Sequence, residues 1–185
     1  MNIGIFGGSF DPVHNGHISL AKKAFRQLKL DVLFFLPAYQ PPHKKRKLSS
    51  ASDRKRMLEI AIGENNCFFV SDYELNKKTK KYTYQTLKYF KKKYGRARLF
   101  FIIGSDSAAD FGGWKRPNGI RSYAEIVVGR RAGHGFNKGN FVFLSGRIAG
   151  ISSTMIRRRI ERGLSIKKLV PAAVGDYIKN NGLYR

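Results

Sequence analysis

The stretch 4-GIFGGSFDPVHNGH-17 decides how the rest of this 185-residue chain is read. Ile3, Ile5 and Phe6 follow Met1 and Asn2 as an apolar run that predicts a short buried strand. Gly7 and Gly8 are expected to break that strand, and Asp11-Pro12 marks a turn. A helix is expected to begin near Gly16, because Ala21, Ala24, Phe25 and Leu28 recur at i, i+3, i+4 and i+7. The glycines and histidines therefore fall where the carboxyl end of a strand meets the amino end of a helix. Such a junction offers unpaired backbone N–H groups and the positive end of a macrodipole, both of which attract phosphate. His14 and His17 can aim two imidazoles at one anion, and Gly16 between them lets a ligand approach the backbone closely. The same pair is weak for zinc, since HxxH brings no third Cys, His or carboxylate with it.

Working outward, Val32 to Leu36 is expected to form a second apolar strand closed by Pro37, followed by the loop AYQPPHKKRK at 38–47. A loop just beyond a strand's carboxyl end is where open α/β sheets bind ligands. Ser50 and Asp53 begin a helix whose buried face is Met57, Leu58, Ala61 and Ile62. Cys67 to Val70 reads as a short strand and 71–81 as a polar, basic surface excursion. Thr83 is the expected N-cap of a helix from Tyr84 to Tyr94, ended by Gly95. Leu99 to Ile103 is the most apolar strand and runs into Gly104, Ser105 and Asp106, with Trp114 in a Gly-Gly-Trp loop beyond. Further strands are expected at Glu125 to Val128 and Phe141 to Leu144. Ser152, Ser153 and Thr154 should cap a helix from Met155 to Arg162 that Gly163 stops, and Pro171 should open a last helix ending before Gly182. Strands alternating with helices imply an α/β fold: one doubly wound parallel-sheet domain over 1–185, with a helical C-terminal end.

Composition narrows the partners. Thirty-six Lys and Arg against 12 Asp and Glu give a formal charge of +24, a field that draws in anionic ligands. The basic runs at 44–47, 77–81 and 91–93 read as solvated faces; with no aromatic platform interleaved, specific nucleic-acid binding is not expected. A single cysteine, Cys67, cannot form an intrachain disulfide. No run of 18 apolar residues and no basic-then-apolar leader is present, so a soluble, cytoplasmic protein without a membrane partner is expected.

A second anion site is expected at ISSTMIRRR, 151–159. Three hydroxyls at a helix start can donate to phosphate oxygens beside the N–H groups of the first turn, and Arg157 can add a planar, bidentate fork. Asp106, at the end of a buried strand, is placed to accept hydrogen bonds from ribose hydroxyls. Trp114, the only tryptophan, can stack on a flat heterocycle.

The Gly-rich turn with HNGH, together with ISSTMIR, resembles the nucleotidyltransferase superfamily, which implies a Rossmann-like domain. The strings GGSFDPVHNGH, PPHK (41–44), YTYQTL (82–87), FIIGSDS (101–107), VVGRRAG (127–133) and the ending LVPAAVGDYIKNNGLYR narrow this to the bacterial nicotinate-nucleotide adenylyltransferase family. The resemblance implies transfer of the adenylyl group of ATP to nicotinate mononucleotide, with His14 and His17 catalytic. It assigns Gly7, Gly8, Ser9, Phe10, Gly16, Gly104, Asp106, Ser152, Ser153, Thr154 and Arg157 to ATP. It assigns Lys44, Thr83, Tyr84, Trp114 and Arg131 to the acceptor. Magnesium (Mg2+) is expected to be held mainly by ATP's own phosphates, with no metal site in the protein. In the loop after Pro37, where many members carry Asn, this chain has Ala38 and Tyr39. The alternatives are an enzyme for nicotinamide mononucleotide, or for another phosphorylated acceptor such as phosphopantetheine. Oligomerisation stays open.

Overall fold

The computed structural model describes residues 1–39, 48–75, 82–130, 139–146 and 148–185. Six strands, β1 (Asn2–Gly8), β2 (Val32–Pro37), β3 (Phe68–Val70), β4 (Arg98–Gly104), β5 (Glu125–Gly129) and β6 (Val142–Phe143), form one sheet in the order β3-β2-β1-β4-β5-β6. Every neighbouring pair is parallel; Ile3 sits opposite Val32 on one side and Leu99 on the other. The winding direction reverses between β1 and β4. Crossovers leave in opposite directions there, which opens a crevice at the strands' carboxyl ends.

The helices are α1 (Asn15–Gln27), α2 (Ala51–Ile62), α3 (Thr83–Tyr94), α4 (Ser105–Ala109), α5 (Pro117–Arg121), α6 (Ser153–Glu161) and α7 (Ala172–Asn180), with a 3₁₀ turn at Phe111–Gly113. Strand side chains alternate between two cores, as the two-residue period of a strand requires. Phe6, Leu33, Phe35, Phe100, Ile102 and Val127 pack with Leu20, Met57, Leu58, Ile156 and Val174, under α1, α2, α6 and α7. Ile3, Ile5, Leu36, Leu99, Phe101, Ile103, Ile126 and Val128 pack with Leu87, Phe90, Ala108, Phe111 and Ile120, under α3, α4 and α5. A doubly wound α/β sheet results, with the C-terminal helices on the α1 side. Tyr177 of α7 donates to Asp53 Oδ1 on α2 at 2.9 Å, which fixes that end of the chain.

Several local expectations change. Gly7 and Gly8 do not end β1; they pair with Leu36 and Pro37. A parallel ladder needs no side chain, and the Phe101 and Phe10 rings fill the space a Cβ would take, at 3.1 and 3.0 Å. Thr83 is the first residue of α3 rather than its cap: Tyr82 takes that role, its N–H donating to Gln85 Oε1 at 3.1 Å while its carbonyl accepts from Gln85 N at 2.9 Å. The segment after Gly104 is not one loop but α4, the 3₁₀ turn and α5, elements too short for an apolar period to register. Among the described residues no helix is long and apolar enough to cross a membrane.

Candidate active site

His14 is the N-cap of α1 and His17 is its third residue. Each ring caps the other's backbone: His17 N donates to His14 Nδ1 at 3.3 Å, and His14 N donates to His17 Nδ1 at 3.2 Å. The rings stack with centroids 3.6 Å apart and planes 22° from parallel. With Nδ1 accepting in both, the neutral rings carry their protons on Nε2, so this local bonding makes each imidazole a hydrogen-bond donor through Nε2. Gly16 completes the turn. A Cβ there would lie 3.0 Å from His14 Nδ1, against the ring that caps the helix. The Asn15 N–H is taken by Leu169 O at 2.9 Å and the His17 N–H by His14. Among the described residues this leaves the Gly16 amide as the first-turn donor available to an anion.

The other polarised turn lies against this one. Ser152 caps α6, its Oγ accepting from Met155 N at 3.1 Å. Ser153 Oγ donates to Pro12 O at 2.9 Å, and Arg157 donates to Asp11 O at 2.7 Å and to Thr154 Oγ1 at 3.1 Å. The amino ends of α1 and α6 are thus joined through the carbonyls of Asp11 and Pro12. Sequence reasoning expected all three hydroxyls and Arg157 to face phosphate. In the structure Ser153 and part of the Arg157 fork instead hold the two turns together. The hydroxyls of Ser152 and Thr154 and the amides of Ser153 and Thr154 keep donors for an anion.

Beside the turns, a cleft of about 410 Å³ opens at the carboxyl ends of β1, β2 and β4. Gly7, Gly8 and Ser9 form one wall, Thr83 and Tyr82 a second, and Asp106 and Trp114 a third. Trp114 is half-buried, its ring edge-on to Phe101 with centroids 6.1 Å apart and tilted against Phe111 at 5.5 Å. Asp106 is exposed in the first turn of α4, where a carboxylate complements the dipole. Gly104, its N-cap, ends β4 opposite Gly129. Tyr84 is not part of the lining; its ring lies under the Arg116 guanidinium at 5.0 Å. Phe10 has no exposed surface, and its ring packs edge-on against Phe6 and His17. Only its backbone can meet a nucleotide. Lys44 and Arg131 lie outside the described residues.

Two residues that sequence reasoning passed over hold this frame. Arg54 of α2 is 1% exposed and donates to the carbonyls of Ser9, Ala38, Tyr39 and Ser49 at 2.7–3.2 Å. It ties the turn after β1 to the loop after β2, and the carbonyls of Ala38 and Tyr39 point at it. Asp11 is fully buried, its Oδ1 accepting from Ser49 N at 3.3 Å and from the Tyr184 hydroxyl at 2.7 Å. Burial, then the adjacent Asp11 carboxylate, pushes the Tyr184 phenol far above its ordinary range. No local pattern marks either residue, because their partners are distant in sequence. Among the described residues no group of three or more His, Cys, Asp and Glu comes together to hold a metal.

A parallel sheet of this order, with two helix amino ends docked at its switch point, is the α/β architecture whose crevice takes nucleotides. Residues 5–159 match the cytidylyltransferase-like family, and the chain belongs to that family. Over 98% of both chains it is 38% identical to a protein of Clostridium tetani that carries the name probable nicotinate-nucleotide adenylyltransferase. A protein of Dictyoglomus thermophilum with the same name is 38% identical over 100% of both chains. The fold is also that of the Plasmodium falciparum nicotinic acid mononucleotide adenylyltransferase solved with NaAD, at a TM-score of 0.84 and 23% identity, covering 99% of this chain and 97% of that one.

Proposed function

We propose that this chain is a nucleotidyltransferase that moves the adenylyl group of ATP onto nicotinate mononucleotide, giving nicotinate adenine dinucleotide and pyrophosphate. The observation that carries this reading is the junction of the α1 and α6 amino ends through Asp11 and Pro12. Two converging dipoles and their amides suit a chain of phosphates better than a single anion. The full-length relatives and the cleft beside this junction support the choice of acceptor.

The acceptor's phosphate oxygen attacks the α-phosphorus of ATP, a P–O bond forms, and the bond to the β-phosphate breaks as pyrophosphate leaves toward α6. The attacking group is already an anion, so no protein nucleophile is required. Catalysis then rests on positioning and on donors aimed at the α-phosphate oxygens. The Nε2–H groups of His14 and His17 and the Gly16 amide serve as those donors. Ser152, Thr154 and the first turn of α6 hold the departing phosphates. Magnesium would enter with ATP, held mainly by the phosphates, and would offset part of the triphosphate's charge. Trp114 and the start of α3 receive the acceptor's ring, and Asp106 accepts from the ribose of ATP. The charge of +24 favours encounter with both anionic substrates. This reading puts the protein in the cytoplasm, where ATP is available.

The test is pyrophosphate release with magnesium and ATP against a panel of phosphorylated acceptors. Release that requires both ATP and nicotinate mononucleotide is expected. Preferential use of nicotinamide mononucleotide or phosphopantetheine would replace the acceptor, and no release with any acceptor would remove the reading.

A further inference from the structure

The cleft carries an electrostatic feature that the reaction chemistry does not require. Its described lining includes three carboxylates, Glu74, Asp106 and Asp110, and one cation, Lys115. Glu74 is buried and accepts from Thr86 Oγ1 at 2.8 Å, so its side chain is committed to the base of α3. An acid and an amide on the acceptor's ring differ by one negative charge, so a cation on the cleft wall discriminates between them. Among the described lining residues, Lys115 is the cation placed to favour the acid.

Its position suits the task. The Lys115 ammonium lies 4.6 Å from the centroid of the Tyr82 ring, and Tyr82 is the residue that caps α3. Lys115 also directly follows Trp114, whose indole shares the cleft wall. The next residue, Arg116, adopts a left-handed backbone with φ 56° and ψ 60°, and its guanidinium goes over Tyr84 instead. Two consecutive cations therefore straddle Thr83, one on Tyr82 and one on Tyr84. Of the two, Lys115 lines the cleft. The amides of Thr83 and Tyr84 precede the first intrahelical bond of α3, from Gln85 N to Tyr82 O, and add the positive end of a twelve-residue helix beside the same spot.

We propose that Lys115 is a specificity residue: its ammonium, held against Tyr82 on the cleft wall, pairs with the ring carboxylate of the acceptor and selects the acid over the amide. The proposal rests on the adenylyl-transfer reading and deepens it. An ammonium acts here as a point charge, so a guanidinium at the same place substitutes for it, whereas a neutral amide does not. The side chain is exposed, so the pair is screened by salt and its effect is moderate.

The experiment compares kcat/KM for nicotinate and nicotinamide mononucleotides in the parent protein and in Lys115→Gln, Lys115→Arg and Arg116→Gln, with KM for ATP measured alongside. Lys115→Gln is expected to lower the acid-to-amide ratio by about three- to tenfold, through a higher KM for the acid, with KM for ATP held. Lys115→Arg should retain the ratio, and Arg116→Gln should leave it in place. Rising ionic strength should erode the parent's preference more than that of Lys115→Gln. An unchanged ratio in Lys115→Gln, or an equal fall in Arg116→Gln, overturns the proposal while leaving adenylyl transfer intact. A parent protein that releases no pyrophosphate with either mononucleotide removes the underlying reading instead.

Discussion

Replacing His17 separates what the ring does for the helix from what it does for the phosphate. The ring accepts the His14 N–H at 3.2 Å and meets Phe6 and Phe10 edge-on, at centroid distances of 5.9 and 5.0 Å. His17→Ala removes one cap acceptor, at about 1 kcal/mol, and these edge contacts, at about 0.5–1.5 kcal/mol together. A loss of roughly 2 kcal/mol corresponds to a fall of about 4–8 °C in Tm for a domain of this size. Set against a typical stability of about 5–15 kcal/mol, the variant stays folded at assay temperature, so lost activity cannot be ascribed to unfolding. His17→Gln is the informative partner. Glutamine at the third helical position reaches back to the cap N–H as the second half of a capping box, so most of the stability returns. It does not restore a donor at the Nε2 position. Turnover in both variants should fall by about 10²–10³, the effect of one oxyanion-hole donor, while calorimetry shows His17→Gln melting above His17→Ala. If His17→Gln releases pyrophosphate within about threefold of the parent rate, the histidine's role is helix capping and the catalytic assignment is wrong.

Alkaline pH probes the C-terminal tie. The Tyr184 phenol is held above its ordinary value by burial and by the Asp11 carboxylate, so above about pH 10 the unfolded chain releases a proton that the folded chain keeps. Stability is therefore full below that pH and falls by about 1.4 kcal/mol per pH unit above it. Denaturation midpoints from pH 9 to 11 should decline less steeply in Tyr184→Phe than in the parent; parallel curves would refute the coupling. Arg54→Met strips the donors from four buried or loop carbonyls and should cost about 3–5 kcal/mol in urea denaturation, with Arg54→Lys recovering part of it. A loss under about 1 kcal/mol would mean that Arg54 does not brace the two loops.

The long strands and helices were legible because their apolar residues repeat with a clear period. Ile3, Ile5 and Phe6 on β1 and Ala21, Ala24 and Phe25 on α1 gave both element types within 25 residues, and HNGH marked the junction between them. Caps carried by a serine were legible as well: Ser50 and Ser152 stand where the pattern puts them. What escaped depended on three-dimensional neighbours. Phe10 looks like a loop residue beside the nucleotide turn, yet its positive φ of 47° turns the ring into the core. Tyr82 caps α3 through backbone and Gln85 rather than through a short polar side chain, so the threonine beside it drew the assignment. Arg54 and Tyr184 bind partners up to 45 and 173 positions away, which no local period encodes. Sequence brought the histidines, the serine-rich helix start and the cleft tryptophan into one proposal. The roles of Ser153 and Arg157 in joining two turns emerged only from coordinates.

The account stands on two helix ends sharing one triphosphate, and a crystal structure with a non-hydrolysable ATP analogue tests that most directly. The expected result places the α-phosphate oxygens within hydrogen-bond distance of His14 Nε2, His17 Nε2 and the Gly16 amide, with the terminal phosphate on Ser152 and Thr154 at the start of α6. A triphosphate lying away from either turn, with the adenine bound elsewhere, would contradict it.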